Sequence, residues 1–311
     1  MRILFAGTAE IATPTLKALY EKFEVGLVLT NPDARKGRSK ELVASPVKKM
    51  ALSLNIPVLQ PERLRGQALV DVASYNCDVL VCFAYGKIFG PRFLSMFEKG
   101  AYNIHPSALP LLRGSAPIQY AILNGLDSTG ITIQKLSLGV DEGDVCSVFR
   151  FDLDGSETTS SLSEKVSLLS APLAIETFTK LENNILSSHP QEGEVSYTDM
   201  LSKDDSLLDF NEDAKVLHSK IRAFYPWPKA HTIYDGKVLF ITGVNPLTHE
   251  RREHSIKVGT VVEIRKKQGL VIACKDELLI VTALQLAGKK ELDYNSFFNG
   301  NSKIIDSILG K

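Results

Sequence analysis

Three side chains in this 311-residue sequence have the types needed for chemistry at a carbonyl carbon: Asn103, His105 and Asp141. Asn103 and His105 lie two positions apart in Asn103-Ile104-His105-Pro106-Ser107, so an extended backbone turns both to one side. An asparagine amide donates a hydrogen bond to a developing oxyanion, and an imidazole gives or takes a proton near neutral pH. Asp141 lies in Leu138-Gly139-Val140-Asp141-Glu142-Gly143-Asp144, a separate segment from which a carboxylate would orient the imidazole and raise its proton affinity. The set suits attack of an amine on a carbonyl, in which an oxyanion forms and a proton must move. Spacing alone leaves a plainer reading open. A histidine beside proline is an ordinary loop residue, and Asp-x-Gly is an ordinary turn.

Such a set needs rigid elements behind it, and the first half of the chain supplies them. Ile3-Leu4-Phe5-Ala6-Gly7 reads as a buried strand ending in glycine. Thr13-Pro14 reads as a helix N-cap with proline at the first helical position, and Ser45-Pro46 repeats the signal. Val47, Met50, Ala51 and Leu54 then follow at helical spacing. Val25 to Leu29, Val58-Leu59, Gly130 to Leu136 and Val145 to Phe149 read as further strands. Asp78 to Phe83 is the most apolar run and is expected at the centre. The alternation predicts an α/β fold with an open, doubly wound, mostly parallel sheet. In such sheets ligands sit beyond the carboxyl ends of the strands, where strand order reverses. The loops after Phe83 and after Tyr102 are therefore the expected site, and a helix from about Thr159 to Asn183 closes the domain.

The remainder has a different texture. Residues 190–209 read as a polar, acidic linker between a first domain at 1–189 and a second at 210–311. In the second, a helical stretch containing Val216, Ile221 and Phe224 precedes Pro226-Trp227-Pro228, where Trp227 is expected to act as a packing anchor. Five short strand-like runs follow, starting near Thr232, Val238, Val258, Leu270 and Leu278, and predict a small β-barrel of the oligonucleotide-binding kind.

Composition bounds the class of protein. Apolar residues make up 44% and charged residues 23%, enough for real cores and against disorder. No apolar run reaches the roughly 20 residues that span a bilayer, and the amino terminus shows no signal-peptide pattern, so a cytoplasmic location is expected. Four cysteines lack a C-x-x-C pair and read as buried thiols. His189, His218, His231, His249 and His254 have no partners at metal spacing, and no metal is expected. The formal net charge of zero conceals three blocks. Residues 1–150 hold 17 Lys and Arg against 13 Asp and Glu, residues 151–213 hold 3 against 14, and residues 214–311 hold 16 against 9. A basic carboxy-terminal module is one reading of this, and simply solvated faces are the other.

The segments around the trio resemble the folate-dependent formyltransferase family, whose pattern is N-x-H-x-S-x-L-P followed by D-x-G. The likeness extends through Phe5-Ala6-Gly7-Thr8, Asn31-Pro32-Asp33, Gly37-Arg38, Ser45-Pro46-Val47-Lys48 and Arg113-Gly114-Ser115-Ala116-Pro117-Ile118-Gln119. Further on it includes Arg222 to Pro228 and Leu286 to Lys290. The resemblance implies a Rossmann-like formyltransferase sheet followed by an OB-like barrel. It implies that Asn103 and His105 stabilise the oxyanion, while Asp141 holds His105 charged or relays a proton through water. It also implies a folate co-substrate, 10-formyltetrahydrofolate, lying against Phe83, Tyr85, Gly86, Ile88 and Val140 and along the backbone of Ser107, Ala108, Leu109 and Pro110. Ala108 departs from the family's usual leucine, which removes some apolar wall but no chemistry.

The later matches resemble the members that formylate initiator methionyl-tRNA, which implies an RNA partner. Arg35, Lys36, Arg38 and Lys40 would then form a basic loop at the acceptor arm. Arg265, Lys266, Lys267, Lys289 and Lys290, with Arg251, Arg252, Lys257 and Lys275, would track phosphates. Nothing calls for an obligatory protein partner, and a monomer is expected. Sugar-formylating and formyltetrahydrofolate-hydrolysing relatives share the trio but are separated by the basic loop and the Arg222 to Pro228 motif. A nicotinamide enzyme is disfavoured because Gly7-Thr8-Ala9-Glu10 lacks the G-x-G-x-x-G cradle. An inert RNA-binding protein is disfavoured by the intact trio.

Overall fold

Short runs rich in Val, Leu and Ile build a seven-stranded sheet in the computed structural model, which describes residues 1–35 and 41–310. Its strands are β1 (Arg2–Gly7), β2 (Glu24–Leu29), β3 (Val58–Leu59), β4 (Val79–Phe83), β5 (Ala101–His105), β6 (Ser128–Lys135) and β7 (Val145–Asp152). Across the sheet they run β7-β6-β5-β4-β1-β2-β3, so β4 is central, as its apolar sequence requires. The strands from β3 to β5 in this order are parallel, and β6 pairs antiparallel with β5. The chain leaves β1 toward β3, then returns to β4 and proceeds the other way, which puts the reversal of order between β1 and β4. Gly7 ends β1 there for a steric reason. A Cβ on it would stand 2.9 Å from the Phe83 carbonyl oxygen.

Both faces of the sheet are covered, as in most parallel sheets. Ile3, Leu4, Phe5 and Ala6 are all fully buried although neighbours point to opposite faces. On one face Leu4, Ala6, Leu80 and Cys82 meet Phe89, Phe93 and Phe97, whose rings lie 5.1 and 5.5 Å apart in sequence. Ser45 caps the helix Pro46–Ser53 by accepting from the Lys48 N–H, as its sequence predicts. Thr13 does not cap. Ala12 occupies the N-cap position, and the Thr13 hydroxyl instead bonds back to the Glu10 carbonyl, because a short 3-10 turn already precedes the helix.

The chain forms two compact units, and the boundary differs from the expected one. The first comprises Met1–Pro117, Thr129–Phe151 and Ser163–Thr198, and the second Ile118–Ser128, Asp152–Leu162 and Asp199–Lys311. Residues 190–198 are therefore no linker. His189 bridges to Val145, and Tyr197–Thr198 pairs as a strand with Arg113–Gly114, which satisfies backbone groups that a linker would leave to water. The second half of the expected linker also has a structural role, since Leu208 is buried in the core of the second unit.

That core lies between the helix Ala214–Ala223 and an antiparallel sheet of six strands. The main path runs from His231–Tyr234 through Lys237–Val244, Leu278–Leu286 and Gly269–Ala273 to Val261–Arg265, with Leu292–Asp293 paired to Leu278–Leu286. All five expected strands are present. Trp227 is 53% exposed and so is not the packing anchor its flanking prolines implied. Phe224, three residues earlier, fills the core in its place. Among the described residues no helix is long and apolar enough to cross a membrane.

Candidate active site

The register of β5 against β6 assembles the site. Asn103 pairs with Gln134 and His105 with Thr132, so the three polar groups Asn103, Gln134 and His105 share one face at the carboxyl end of β5. The chain leaves β6 at Lys135 and folds back on it, bringing Asp141 over that face. Two backbone features permit the fold-back. Asp141 itself adopts a left-handed conformation, φ 53°. Gly143 lies so close to the Lys135 carbonyl that any Cβ would collide with it, which explains the glycine of the D-x-G pattern.

The Asp141 carboxylate is then held on both oxygens. Oδ1 accepts from Gln134 Nε2 at 2.7 Å and Asn103 Nδ2 at 3.2 Å. Oδ2 accepts from the Gly114 N–H at 2.9 Å and faces His105 Nδ1 at 3.5 Å. His105 Nε2 lies 2.9 Å from the Leu112 carbonyl oxygen. A carbonyl only accepts, so Nε2 carries a hydrogen and the neutral ring presents its Nδ1 lone pair toward Asp141. His105 is only 3% exposed, and burial pushes its pKa below the ordinary 6.5, outweighing the upward pull of Asp141 and of the Leu112 bond. Burial thus works against the charged ring that Asp141 favours.

The segment after β5 contributes backbone more than side chains. Ser107 is fully buried, its hydroxyl bonds to the Leu111 carbonyl at 2.6 Å, and its own carbonyl accepts from Thr132 Oγ1 at 2.7 Å. Thr132 Oγ1 also accepts from the Leu109 N–H. Ala108, Leu109 and Pro110 are buried. The Ala108 methyl in turn constrains the neighbouring strand: a Cβ on Gly130 would stand 3.1 Å from it and 2.7 Å from the Phe149 carbonyl oxygen.

Phe83 and Tyr85 are buried in the core, whereas Gly86, Ile88 and Val140 are exposed; Ile88 and Val140 are 86% and 57% accessible. Of the expected folate-facing side chains, Ile88 and Val140 thus offer open apolar surface, whereas Phe83 and Tyr85 do not. The Tyr85 carbonyl is fixed by Thr8 Oγ1 at 3.1 Å and Asn31 Nδ2 at 2.9 Å. The Tyr85 hydroxyl is buried with no hydrogen-bond partner among the described residues. Tyr85→Phe is therefore expected to raise unfolding free energy by about 1 kcal/mol in denaturant titration, by removing an unpaired polar group. A loss of stability would mean the hydroxyl has a partner.

Sequence reasoning missed Gln134, Gln191 and Tyr197. Gln191 Nε2 donates to the carbonyls of Asp141 and Gly143, both at 2.8 Å. Gln191 Oε1 accepts from Arg113 Nε at 3.1 Å and Nη2 at 2.8 Å. Arg113 Nη1 donates to the Tyr197 hydroxyl, which donates to Glu142. Only the period-2 match of Gln134 to the strand could have flagged it. Gln191 sits in a stretch whose composition reads as linker.

The basic residues divide sharply. Arg265 is not available for phosphate, because Glu250 takes two of its nitrogens and Glu263 a third at 2.6 Å. Its charge is neutralised, and the paired carboxylates raise its pKa. Lys275 pairs with Asp213, and Arg252 spends its guanidinium on the carbonyls of Lys275, Glu253 and Ile256. Lys266, Lys267, Lys289, Lys290, Arg251 and Lys257 are exposed. Lys266 and Lys267 line a groove of about 520 Å³ with Tyr294 and Phe298. Arg35 is exposed in a two-residue strand paired with Leu42–Val43. Lys36, Arg38 and Lys40 lie outside the described residues.

Comparison with known proteins agrees with this organisation. The formyl transferase family matches residues 1–177, and its C-terminal domain matches residues 200–302. The chain is 39% identical to the methionyl-tRNA formyltransferase of Lachnospira eligens, with all of both chains aligned. It is 37% identical to that of Treponema denticola over 98% of each. Among solved structures it resembles WlaRD, a sugar 3N-formyl transferase solved in the presence of dTDP and 5-N-formyl-THF, with TM-score 0.67 and 19% identity over 93% of this chain and 99% of that one. A methionyl-tRNA formyltransferase from Clostridium thermocellum gives TM-score 0.57 and 18% identity over 79% and 93%. At those identities the structural likenesses speak for the fold alone.

Proposed function

Because the chain belongs to the formyl transferase family in both its N-terminal and C-terminal domains, we propose that it transfers the formyl group of 10-formyltetrahydrofolate to the methionine amine of initiator methionyl-tRNA. The choice of acceptor is supported by the full-length relatives at 37% and 39% identity. The chemistry is carried by one observation: Asn103, Gln134, Gly114 and His105 all converge on the Asp141 carboxylate at the carboxyl end of β5.

Attack of an amine on a formyl carbon requires a site for negative charge on oxygen and an acceptor for the amine proton. Asn103 spends one amide hydrogen on Asp141 and, being half-buried, directs the other toward an incoming oxygen. The neutral imidazole of His105 receives the proton at Nδ1, since Nε2 already carries one toward Leu112. The resulting cation faces Asp141 Oδ2 at 3.5 Å, a distance that shortens as opposite charges form or that one water bridges. As a cation, His105 also stabilises the negatively charged oxygen alongside Asn103. When the tetrahedral adduct collapses, the bond between the formyl carbon and N10 of the folate breaks and the proton held by His105 passes to that nitrogen, so tetrahydrofolate leaves and the imidazole is neutral again. The exposed Ile88 and Val140 supply apolar contact for a pterin ring.

In the second unit, Lys266, Lys267, Lys289 and Lys290 give phosphate contacts that position an RNA without reading its sequence. From the first, Arg35 adds an exposed basic side chain. A labelled formyl donor offered to initiator methionyl-tRNA, elongator methionyl-tRNA and dTDP-3-aminofucose tests the acceptor. The expected result is label on the initiator alone. Label on the sugar and on neither tRNA would overturn the proposed acceptor while leaving the trio's chemistry in place.

A further inference from the structure

Gln191 lies fifty positions from Asp141 in sequence, yet it binds the turn that carries the carboxylate. Its amide has one unambiguous orientation. The two hydrogens on Nε2 meet the Asp141 and Gly143 carbonyls at 2.8 Å each, and Oε1 meets two nitrogens of Arg113. The reverse orientation would set oxygen against two carbonyls and hydrogens against a guanidinium. Gln191 Nε2 also reaches Gln134 Oε1 at 3.3 Å, the residue that donates to Asp141 Oδ1. Arg113 in turn precedes Gly114, whose N–H holds Asp141 Oδ2. One side chain thus braces the backbone under Asp141 and touches both residues that lead to its oxygens. A turn with Asp141 at φ 53° needs such bracing, because a left-handed non-glycine residue is costly unless its surroundings fix it.

We infer that Gln191 is a positioning residue for Asp141: its amide hydrogens set the Asp141–Gly143 turn, and through it the carboxylate that faces His105. This rests on the proposed role of Asp141 in the reaction. It assigns work to a residue that touches no reacting atom. Misplacement of a reacting group by about 1 Å costs on the order of a hundredfold in rate. The alternative is that Gln191 only partners Arg113 and secures the pairing of Arg113–Gly114 with Tyr197–Thr198.

Two variants separate these roles. Gln191→Met keeps the length and removes every hydrogen bond, and Gln191→Glu restores the bond to Arg113 while lacking the hydrogens for the two carbonyls. Both are assayed for kcat and donor KM with methionyl-tRNA, and the His105 imidazole is titrated by nitrogen-15 NMR. Both variants are expected to lose about 10- to 100-fold in kcat with donor KM within about threefold. In Gln191→Met the His105 midpoint moves further down, because the Asp141 charge no longer stands fixed beside it. A Gln191→Glu enzyme within threefold of the parent and with an unmoved His105 titration would overturn the inference in favour of the Arg113 role. A fall in kcat with an unmoved His105 titration would overturn it too, since the loss would then arise elsewhere. A moved titration with unchanged kcat would uphold the positioning and instead sink the catalytic reading of Asp141.

Discussion

His105→Ala lowers formyl transfer at saturating donor and acceptor by at least about a hundredfold, which is about 3 kcal/mol of transition-state stabilisation. The geometry makes this a loss of turnover rather than of binding. His105 is buried behind the segment that follows β5, and its ring nitrogens face Leu112 and Asp141. The exposed apolar residues Ile88 and Val140 are untouched by the change, so donor KM stays within about threefold. The pH profile supplies an independent check. Burial lowers the His105 pKa, so any loss of turnover that arises from protonation of this ring comes at a pH below the ordinary 6.5. The same depression has a stability sign. Protons bind the unfolded chain near pH 6.5 but not the buried ring, so its contribution is present above that pH and is lost as pH falls below it. His218, which burial and neighbouring Arg222 push down to about 4, adds to the same loss between pH 6.5 and 4. Near-normal turnover in His105→Ala would remove the imidazole from the reaction.

Asp141→Asn is expected to cost about 10²- to 10⁴-fold in turnover, by analogy with other buried carboxylates that orient a histidine. Two effects combine. The substitution removes the charge that favours a protonated His105. It also creates a mismatch, because Asp141 accepts on both oxygens, from Gln134 and Asn103 on one and from Gly114 on the other. An amide has only one acceptor, so its NH2 group must oppose one of those donors whichever way it turns. A stability loss of about 1–3 kcal/mol accompanies this, measurable by denaturant titration. Turnover within threefold of the parent would show that the carboxylate is structural only.

Much of this was legible because parallel sheets write their strands as apolar runs. Asp78 to Phe83 was expected at the centre from composition, and β4 is there. Asn103 and His105 were legible as a pair because a strand has period 2, and the register of β5 with β6 bears out their shared face. What failed did so where long-range pairing overrides local signals. Residues 190–198 look like linker because they are polar and acidic, yet Tyr197–Thr198 pairs with Arg113–Gly114 and Gln191 binds the Asp141 carbonyl. The charge of Arg265 was visible, but Glu250, fifteen positions away, was not visibly its partner. Trp227 carried a strong signal, two flanking prolines, and still faces outward, since Phe224 already fills the core. Ser45-Pro46 marks a true helix N-cap whereas Thr13-Pro14 does not, because nothing in the sequence announces the 3-10 turn at Glu10–Ala12.

Asn103, His105 and Asp141 are held to work as one unit, and a double-mutant cycle tests that claim most directly. Single-turnover transfer of labelled formyl to initiator methionyl-tRNA would be measured for the parent, His105→Ala, Asp141→Asn and the double variant. If Asp141 acts through His105, the double variant is about as slow as the slower single one. Losses that multiply would mean the two residues act independently, and would contradict the account.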